Sequence, residues 1–166
     1  MSRTFGFIGL GLIGGSLAKA LRETEHDCRI IAYSRKPQLS KDLQGALDAK
    51  VADEIVYSLD AFGACDFIFL CAPVDSNISY LPALKAVLSS DTVLTDVGSV
   101  KTNIHMHIKE AGLEKQFIGG HPMAGSERFG YANAKSSLLE NAYYILTPTE
   151  ETSQERLENY RDLVEK

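Results

Sequence analysis

Short apolar runs alternate with segments of helical periodicity from the first residues onward. An apolar run over residues 4–9 ends in glycines and is followed by a helix-compatible stretch over 12–22. A second, β-branched run over 29–33 leads to Pro37, and the polar residues after that proline predict a helix over 40–49. The pattern therefore predicts two successive units of strand, turn and helix.

The same alternation continues through the rest of the chain. Further strands are predicted near residues 55–56 and over 66–71, 92–97, 117–118 and 143–147. Further helices are predicted over residues 78–88, 102–111 and 152–165. Strand and helix thus alternate almost throughout, with a long glycine-bearing loop before the last strand.

The composition of the strands predicts their arrangement. They are continuous apolar runs, each followed by a helical segment, which is typical of a parallel sheet buried on both faces. Right-handed helical crossovers return each strand to the same direction. We therefore expect an α/β fold with a doubly wound, mostly parallel sheet of the Rossmann type. Because the sequence contains no linker, repeat or low-complexity tract, residues 1–166 are predicted to form a single domain.

Composition and charge narrow the classes of function. The 166 residues are 45% hydrophobic and 23% charged, as expected of a globular fold. The net charge is −5, and no basic cluster is available to hold nucleic acid or an anionic membrane surface. A secretory signal and an apolar run of ~18 residues are both missing, so a cytoplasmic location is predicted. The three cysteines lack metal-ligand spacing, so neither a metal site nor a disulfide is expected.

The glycines after the first strand predict a phosphate-binding turn for a dinucleotide. The sequence G-L-G-L-I-G lies between the first predicted strand and the first helix. Gly9 would allow a sharp turn, Gly11 a close approach of the pyrophosphate, and Gly14 close packing of helix on strand. Free N–H groups where the helix begins, at Leu12 and Ile13, would favour the phosphate charge. The alternative is that these are turn glycines with a purely structural role.

The end of the second strand bears on the choice of cofactor. An acidic residue that binds the ribose 2′-hydroxyl is usual about 20 residues past such a turn, whereas this chain has Ser34, Arg35 and Lys36 there. A hydroxyl beside a guanidinium would hold a 2′-phosphate through charge-assisted hydrogen bonds. We therefore expect NADP to be preferred, with Ser34 and Arg35 as its contacts. The alternative is that Arg35 lies in solvent against the adenine and that NAD binds.

Three later motifs fall at the carboxyl ends of predicted strands. They are C-A-P-V at residues 71–74, D-V-G-S-V-K at 96–101 and G-G-H-P-M-A-G-S-E at 119–127. Open parallel sheets bind their ligands at this edge. The three loops are therefore expected to meet near the nicotinamide, with Ala72 and Pro73 touching the cofactor.

Together with F-I-G-L-G-L-I-G-G-S at residues 7–16 and E-N-A-Y-Y-I-L-T-P at 140–148, these motifs resemble those of the prephenate and arogenate dehydrogenases of tyrosine biosynthesis. The resemblance covers essentially the whole chain. Members of that family continue into a helical domain that builds a homodimer and supplies an arginine for the substrate carboxylate. The resemblance thus implies that this chain is similar to the cofactor-binding half, and that a homodimer would form through the helical domain.

The resemblance also implies a reaction and two catalytic residues. In the family the histidine of the G-G-H-P motif, here His121, accepts a hydrogen bond from the substrate hydroxyl, and the serine of G-S-V-K, here Ser99, bonds near both groups. A neutral imidazole suits that role near neutral pH. The substrate would be prephenate, giving 4-hydroxyphenylpyruvate, or arogenate, oxidised by hydride transfer to NAD(P)+ with loss of CO₂.

Several of these residues have simpler interpretations. His121 could be a buried histidine bonded to backbone, and Ser99 could be the N-cap of the following helix. Asp96 is expected to cap a loop or orient a neighbouring group, and Lys101 to lie in solvent or near a substrate carboxylate. His105, in an H-x-H pair on the same helix, is expected to be a solvated surface residue.

Two other functions are compatible with the sequence. One is an NADP-linked dehydrogenase of a β-hydroxy acid, an enzyme class that usually places its catalytic lysine in a helical second half. The other is a nucleotide-binding module that performs no chemistry. The −5 charge and the absence of an exposed apolar stripe in the sequence offer such a module no evident partner surface.

Overall fold

The computed structural model describes residues 2–166. Within them the strands are β1 (Arg3–Ile8), β2 (Cys28–Tyr33), β3 (Glu54–Val56), β4 (Phe67–Leu70), β5 (Val93–Asp96), β6 (Ile118–Pro122) and β7 (Tyr144–Pro148). The α-helices are α1 (Leu12–Thr24), α2 (Lys41–Asp48), α3 (Val74–Val87), α4 (Thr102–Glu110) and α5 (Gln154–Val164). None of the helices in residues 2–166 has both the length and the apolar character needed to cross a membrane.

The strands form a sheet with β1 at its centre. The order is β3-β2-β1-β4-β5, and each of these pairings is parallel. Beyond β5, a parallel bridge between Leu94 and Phe117 brings β6 alongside, and β7 returns antiparallel to β6. The strand order reverses between β1 and β4, which is where open α/β sheets bind ligands. The predicted doubly wound, mostly parallel fold is therefore confirmed.

Helices cover both faces of the sheet, which explains the continuous apolar strands. Phe67 and Phe69 point into a core shared with α1, α2 and α5, whereas Ile68 and Leu70 point into a second core with α3 and α4. Successive side chains of a strand face opposite sides of the sheet. A strand with a core on each side must therefore be apolar at every position.

The third helix begins earlier than the sequence predicted. α3 starts at Val74 rather than at residue 78, so its polar first turn was wrongly assigned to a loop. The reason is tertiary, because the side chain of Asn77 is buried and donates to the carbonyl oxygens of Leu70 and Ala72. These bonds tie the first turn of α3 to the end of β4 and fix the short connection between them.

Candidate functional site

The fingerprint glycines lie in a tight turn between β1 and α1. Gly9 has a φ of +96°, and a Cβ there would lie 2.8 Å from the backbone nitrogen of Ala72. A Cβ on Gly14 would lie 2.2 Å from the carbonyl oxygen of Gly9. By contrast, apart from Gly11 itself and its two chain neighbours, no heavy atom of residues 2–166 lies within 4 Å of the Cβ position of Gly11. The turn and the helix packing thus require Gly9 and Gly14, and Gly11 faces open space.

The start of α1 is open to an anion. Gly11 is its N-cap and has no side chain that could satisfy the first free N–H groups. Leu12 and Ile13 follow in the first turn and are half-buried, while the next residues, 14–18, are buried. N–H groups at such a helix end attract phosphate through hydrogen bonds and through the helix dipole. The residues present therefore fit the pyrophosphate of a dinucleotide.

The predicted contacts after β4 lie beside this turn. Ala72 is half-buried, and its backbone packs against Gly9 across the gap between β1 and β4. Pro73 is exposed and directly precedes α3. The structure therefore brings Ala72 and Pro73 to the reversal point of the sheet, next to the glycine turn.

The predicted ribose contacts lie at the end of β2. Ser34 is buried, and its hydroxyl donates to the carbonyl oxygen of Lys36 at 2.7 Å. Arg35 is exposed. A shallow cavity of about 230 Å³ opens at this end of the strand, lined by Tyr33, Ser34, Arg35, Lys36, Gln38, Ser40 and Leu43. Because the Ser34 proton is already donated, the exposed cations Arg35 and Lys36 are the groups that could donate to a phosphate here.

The two predicted catalytic residues lie at the same edge of the sheet, Ser99 in the loop after β5 and His121 near the carboxyl end of β6. Ser99 is exposed in the connection between β5 and α4. The N-cap of α4 is Lys101, so the interpretation of Ser99 as that cap is wrong. His121 is the fourth residue of β6 and is half-buried, which contradicts a fully buried structural histidine. Because side chains alternate along a strand, His121 faces the same side of β6 as Gly119. The Cβ position of Gly119 lies 3.2 Å from Cδ of Lys101, at the end of the loop that carries Ser99.

Asp96, at the end of β5, makes hydrogen bonds both to the loop that carries Ser99 and to β6, which carries His121. Its carboxylate is buried and accepts hydrogen bonds from the N–H groups of Gly98 and Gly120. Lys101 Nζ donates to both carboxylate oxygens at 2.7 Å and to the carbonyl oxygen of Gly120. Burial lowers the pKa of Lys101, and the hydrogen bond and charge of Asp96 offset part of that effect. The prediction that Lys101 lies in solvent is therefore wrong, and its place near a substrate carboxylate stays a prediction.

His105 is also placed differently from the prediction. It is half-buried in α4, with its ring edge-on to Phe117 at 5.2 Å between centroids. Its Nε2 is buried and lies 2.9 Å from the Cβ position of Gly119. Burial lowers the pKa of His105, which favours the neutral ring. Helical spacing is the sequence signal that could have indicated this burial, because His105 falls between the buried residues Ile104 and Ile108 on the inner side of the helix.

A large cavity lies away from the predicted cofactor contacts. Its volume is about 820 Å³, and it is bounded by α1, α5, β7 and the segment before β7. Its lining includes Pro122, the residue that directly follows His121. The glycine turn, unlike this cavity, borders the crevice outside the carboxyl ends of the strands, where open sheets bind their ligands.

Comparisons with known proteins identify the family. A family model described as the nucleotide-binding domain of prephenate dehydrogenase matches residues 17–166. The chain belongs to the prephenate dehydrogenase family. It is 33% identical to prephenate dehydrogenase of Bacillus subtilis, with 99% of this chain and 44% of that protein aligned. It is 35% identical to prephenate dehydrogenase of Lactococcus lactis, with 94% and 43% aligned. The chain thus spans about half the length of the curated relatives it matches.

Solved structures of this family have the same fold. Prephenate dehydrogenase from Aquifex aeolicus, crystallised with hydroxyphenyl propionate and NAD+, superposes with a TM-score of 0.88 at 32% identity and covers 99% of this chain and 57% of its own. Arogenate dehydrogenase from Synechocystis superposes with a TM-score of 0.86 at 37% identity, covering 98% and 56%. The resemblance drawn from the sequence motifs is therefore confirmed at the level of family and fold.

Proposed function

We propose that this chain is the cofactor-binding part of an enzyme that oxidises prephenate to 4-hydroxyphenylpyruvate, with hydride transfer to NAD(P)+ and loss of CO₂. The observation that carries the proposal is the position of His121, half-buried on β6 beside the end of β5. An imidazole at this edge of the sheet is available to a substrate bound next to a nicotinamide. The relatives named prephenate dehydrogenase support the choice of substrate.

The glycine turn and the end of β2 would hold the cofactor. In the turn, Gly11 and the free N–H groups of Leu12 and Ile13 would face its pyrophosphate, and Gly9 and Gly14 would shape the turn and let the helix pack closely on the strand. Ala72 and Pro73 would border it at the reversal point of the sheet, with Arg35 near the adenosine ribose. When bound, NAD(P)+ supplies the acceptor for hydride.

His121 and Ser99 would act on the substrate hydroxyl. A neutral imidazole accepts the hydrogen bond of that hydroxyl and takes its proton as the ring carbon loses hydride. Ser99, exposed on the neighbouring loop, would hold the same hydroxyl in line with His121. The bond to the ring carboxylate then breaks, CO₂ leaves, and its electron pair completes the aromatic ring as the protonated imidazole returns the proton to the phenolate oxygen. Formation of the aromatic phenol makes the reaction effectively irreversible.

An assay with prephenate and arogenate tests the reaction, using the protein at its natural length. We expect prephenate to drive formation of reduced nicotinamide, and His121→Asn to lower kcat by about 10²-fold or more because it removes the base. His26→Asn, a substitution of an exposed histidine, is the matched control. Normal turnover by His121→Asn would favour the β-hydroxyacid dehydrogenase, and cofactor binding with no turnover on either substrate would favour the non-catalytic module.

Arogenate is the second candidate substrate. The observation that favours it is the 37% identity to arogenate dehydrogenase of Synechocystis. Its side chain carries an amino group where prephenate carries a keto group, while the ring chemistry is the same. A kcat/KM higher for arogenate than for prephenate in the same assay would reverse our choice.

We also propose that the cofactor preference is for NADP, carried by Arg35. Titration with NADP+ and NAD+ tests it, and Arg35→Ala is expected to weaken NADP+ binding by about tenfold while changing NAD+ binding little, because only the 2′-phosphate needs a charged partner. Arg161→Ala, at an exposed arginine of α5, is the matched control. Tighter binding of NAD+ than of NADP+, with no effect of Arg35→Ala, would assign NAD to this protein instead.

The remaining expectations on partners and location are proposals too. A cytoplasmic location fits the three free cysteines, since reducing compartments preserve thiols. We propose that a homodimer would form outside the nucleotide-binding fold, through the helical domain that the family resemblance implies. Size-exclusion chromatography of the 166 residues alone should then give a monomer, and a stable dimer would overturn this assignment.

A further inference from the structure

The ion pair of Asp96 and Lys101 is buried between the loop that carries Ser99 and strand β6, which carries His121. The side chain of Asp96 is 2% exposed and that of Lys101 is 16% exposed. Withdrawing two charges from water is costly, and a buried pair of this kind is often no more stabilising than apolar residues of the same volume. Stability alone therefore does not account for a charged pair at this place.

The ion pair makes hydrogen bonds to the backbone at two positions. Asp96 accepts from the N–H of Gly98 at 3.1 Å, and Gly98 directly precedes Ser99. Asp96 also accepts from the N–H of Gly120 at 3.3 Å, and Lys101 donates to the carbonyl oxygen of the same glycine. Gly120 directly precedes His121. The pair thus holds the residue before each of the two proposed catalytic groups.

The glycines make this contact possible. A Cβ on Gly120 would lie 2.7 Å from the carbonyl oxygen of Asp96, and one on Gly98 would lie 3.1 Å from its carboxylate. The backbone of Gly120 approaches Asp96 more closely than a residue with a Cβ permits, and that of Gly98 approaches it closely enough that a Cβ would require the carboxylate to shift. The distance between the Ser99 loop and β6 is therefore set by the carboxylate of Asp96 and the ammonium group of Lys101 bound to it.

We infer that Asp96 and Lys101 are positioning residues, which set the distance between Ser99 and His121 by fixing the backbone of Gly98 and Gly120. The inference rests on the proposed function and adds to it the device that aligns the two groups. Neither Asp96 nor Lys101 needs to touch the substrate, since their hydrogen bonds are made within the protein. Misplacing a reacting group by about 1 Å can cost 10²-fold in rate, so the pair should matter for turnover more than for binding.

The test compares three variants of the protein at its natural length. The double variant Asp96→Asn with Lys101→Met removes both charges together, so that no unpaired charge stays buried. Lys101→Arg restores the cation, and Lys109→Met is the matched control on an exposed lysine of the same helix. The measurements are kcat and KM with prephenate, the Kd of the cofactor, and amide hydrogen exchange at Gly98 and Gly120.

We expect the double variant to lose about 30- to 100-fold in kcat, with the cofactor Kd changed less than about twofold because the glycine turn lies elsewhere. Exchange at Gly98 and Gly120 should accelerate by about tenfold or more as their acceptor bonds weaken. Lys101→Arg should recover most of the loss, and Lys109→Met should match the wild type. If the double variant lost cofactor affinity and kcat to the same extent, the pair would have only a structural role, and the inference would be wrong.

Two results would overturn the inference. One is a double variant with wild-type kcat, and the other is unchanged exchange at both glycines. If the wild type oxidises neither prephenate nor arogenate, the proposed function has failed, and the exchange rates still decide whether the pair fixes the two loops. Should the double variant not fold, Asp96→Asn alone retains an oxygen acceptor and is measured in the same way.

Discussion

At the residue scale, the glycine fingerprint contains positions with different physical demands. Gly14 is required by packing, because its Cβ would overlap the backbone of Gly9, whereas Gly11 borders empty space. The pattern predicted both roles from the sequence. It did so because the spacing of the glycines is tied to one local geometry, a strand turning directly into a helix.

This difference predicts opposite effects for two similar substitutions. Gly14→Ala should lower the free energy of unfolding by about 3 kcal/mol, since the new methyl meets backbone rather than a flexible side chain. Gly11→Ala should change stability by less than about 1 kcal/mol but weaken cofactor binding by about tenfold or more, because the methyl occupies the approach of the pyrophosphate. Urea denaturation and titration with reduced cofactor measure the two quantities. Equal effects on both would contradict the separate roles.

Burial of single polar residues was the part of the site that sequence reasoning predicted least well. Lys101 was predicted to lie in solvent or near a substrate carboxylate, and His105 in solvent, yet Lys101 bonds Asp96 and His105 packs on Phe117. Helical spacing relative to the buried Ile104 and Ile108 could have indicated that His105 faces inward. Lys101 carries no such local signal, because it precedes the helix as its N-cap and its partner Asp96 lies on a strand.

At the scale of the elements, the final helix is fixed by a chain of buried hydroxyl groups. Tyr160, in the middle of α5, is fully buried, and its hydroxyl accepts from Thr95 Oγ1 at 3.0 Å and lies 2.9 Å from the hydroxyl of Tyr144. Burial raises the pKa of Tyr160, so the phenol stays neutral. The helix itself was predicted from its charged, amphipathic pattern, but this connection to β5 and β7 was not.

Tyr160→Phe should therefore destabilise the fold by about 1–3 kcal/mol, because two buried hydroxyls lose a partner while the ring still fills its place. The exposed Tyr57 offers a control, as Tyr57→Phe should cost less than about 0.5 kcal/mol. Urea denaturation followed by circular dichroism compares them. Equal stability of Tyr160→Phe and wild type would show that the hydroxyl chain contributes nothing to docking of α5.

At the scale of the whole molecule, a half-buried neutral histidine makes stability depend on pH. Burial lowers the pKa of His105 from the ordinary value of 6.5. Between the folded pKa and 6.5, the unfolded chain binds more protons at this site than the folded one does, so stability rises with pH across that window. Acidification through the window therefore draws the protein toward the unfolded state.

We expect the free energy of unfolding to fall as the pH is lowered below about 6.5, and His105→Leu to show a smaller fall than the wild type. Leucine removes the titrating group and keeps an apolar contact with Phe117. His26→Leu, at an exposed turn residue, should retain the wild-type slope. Urea denaturation at a series of pH values measures this, and identical slopes for His105→Leu and wild type would refute it.

The sequence by itself determined the order of strands and helices, the parallel sheet and the glycine turn. These follow from local patterns, namely apolar runs buried on two faces and glycines spaced for one turn geometry. Tertiary structure alone decided the antiparallel β7, the early start of α3 and the joining of the Ser99 and His121 loops through Asp96. The pairing of β7 with β6 and the bond from Gly120 to Asp96 join residues far apart in the chain, and such bonds form only once the strands have been brought together. The first turn of α3 depends on bonds from the buried Asn77 side chain to the end of β4, which the apolar pattern does not reveal.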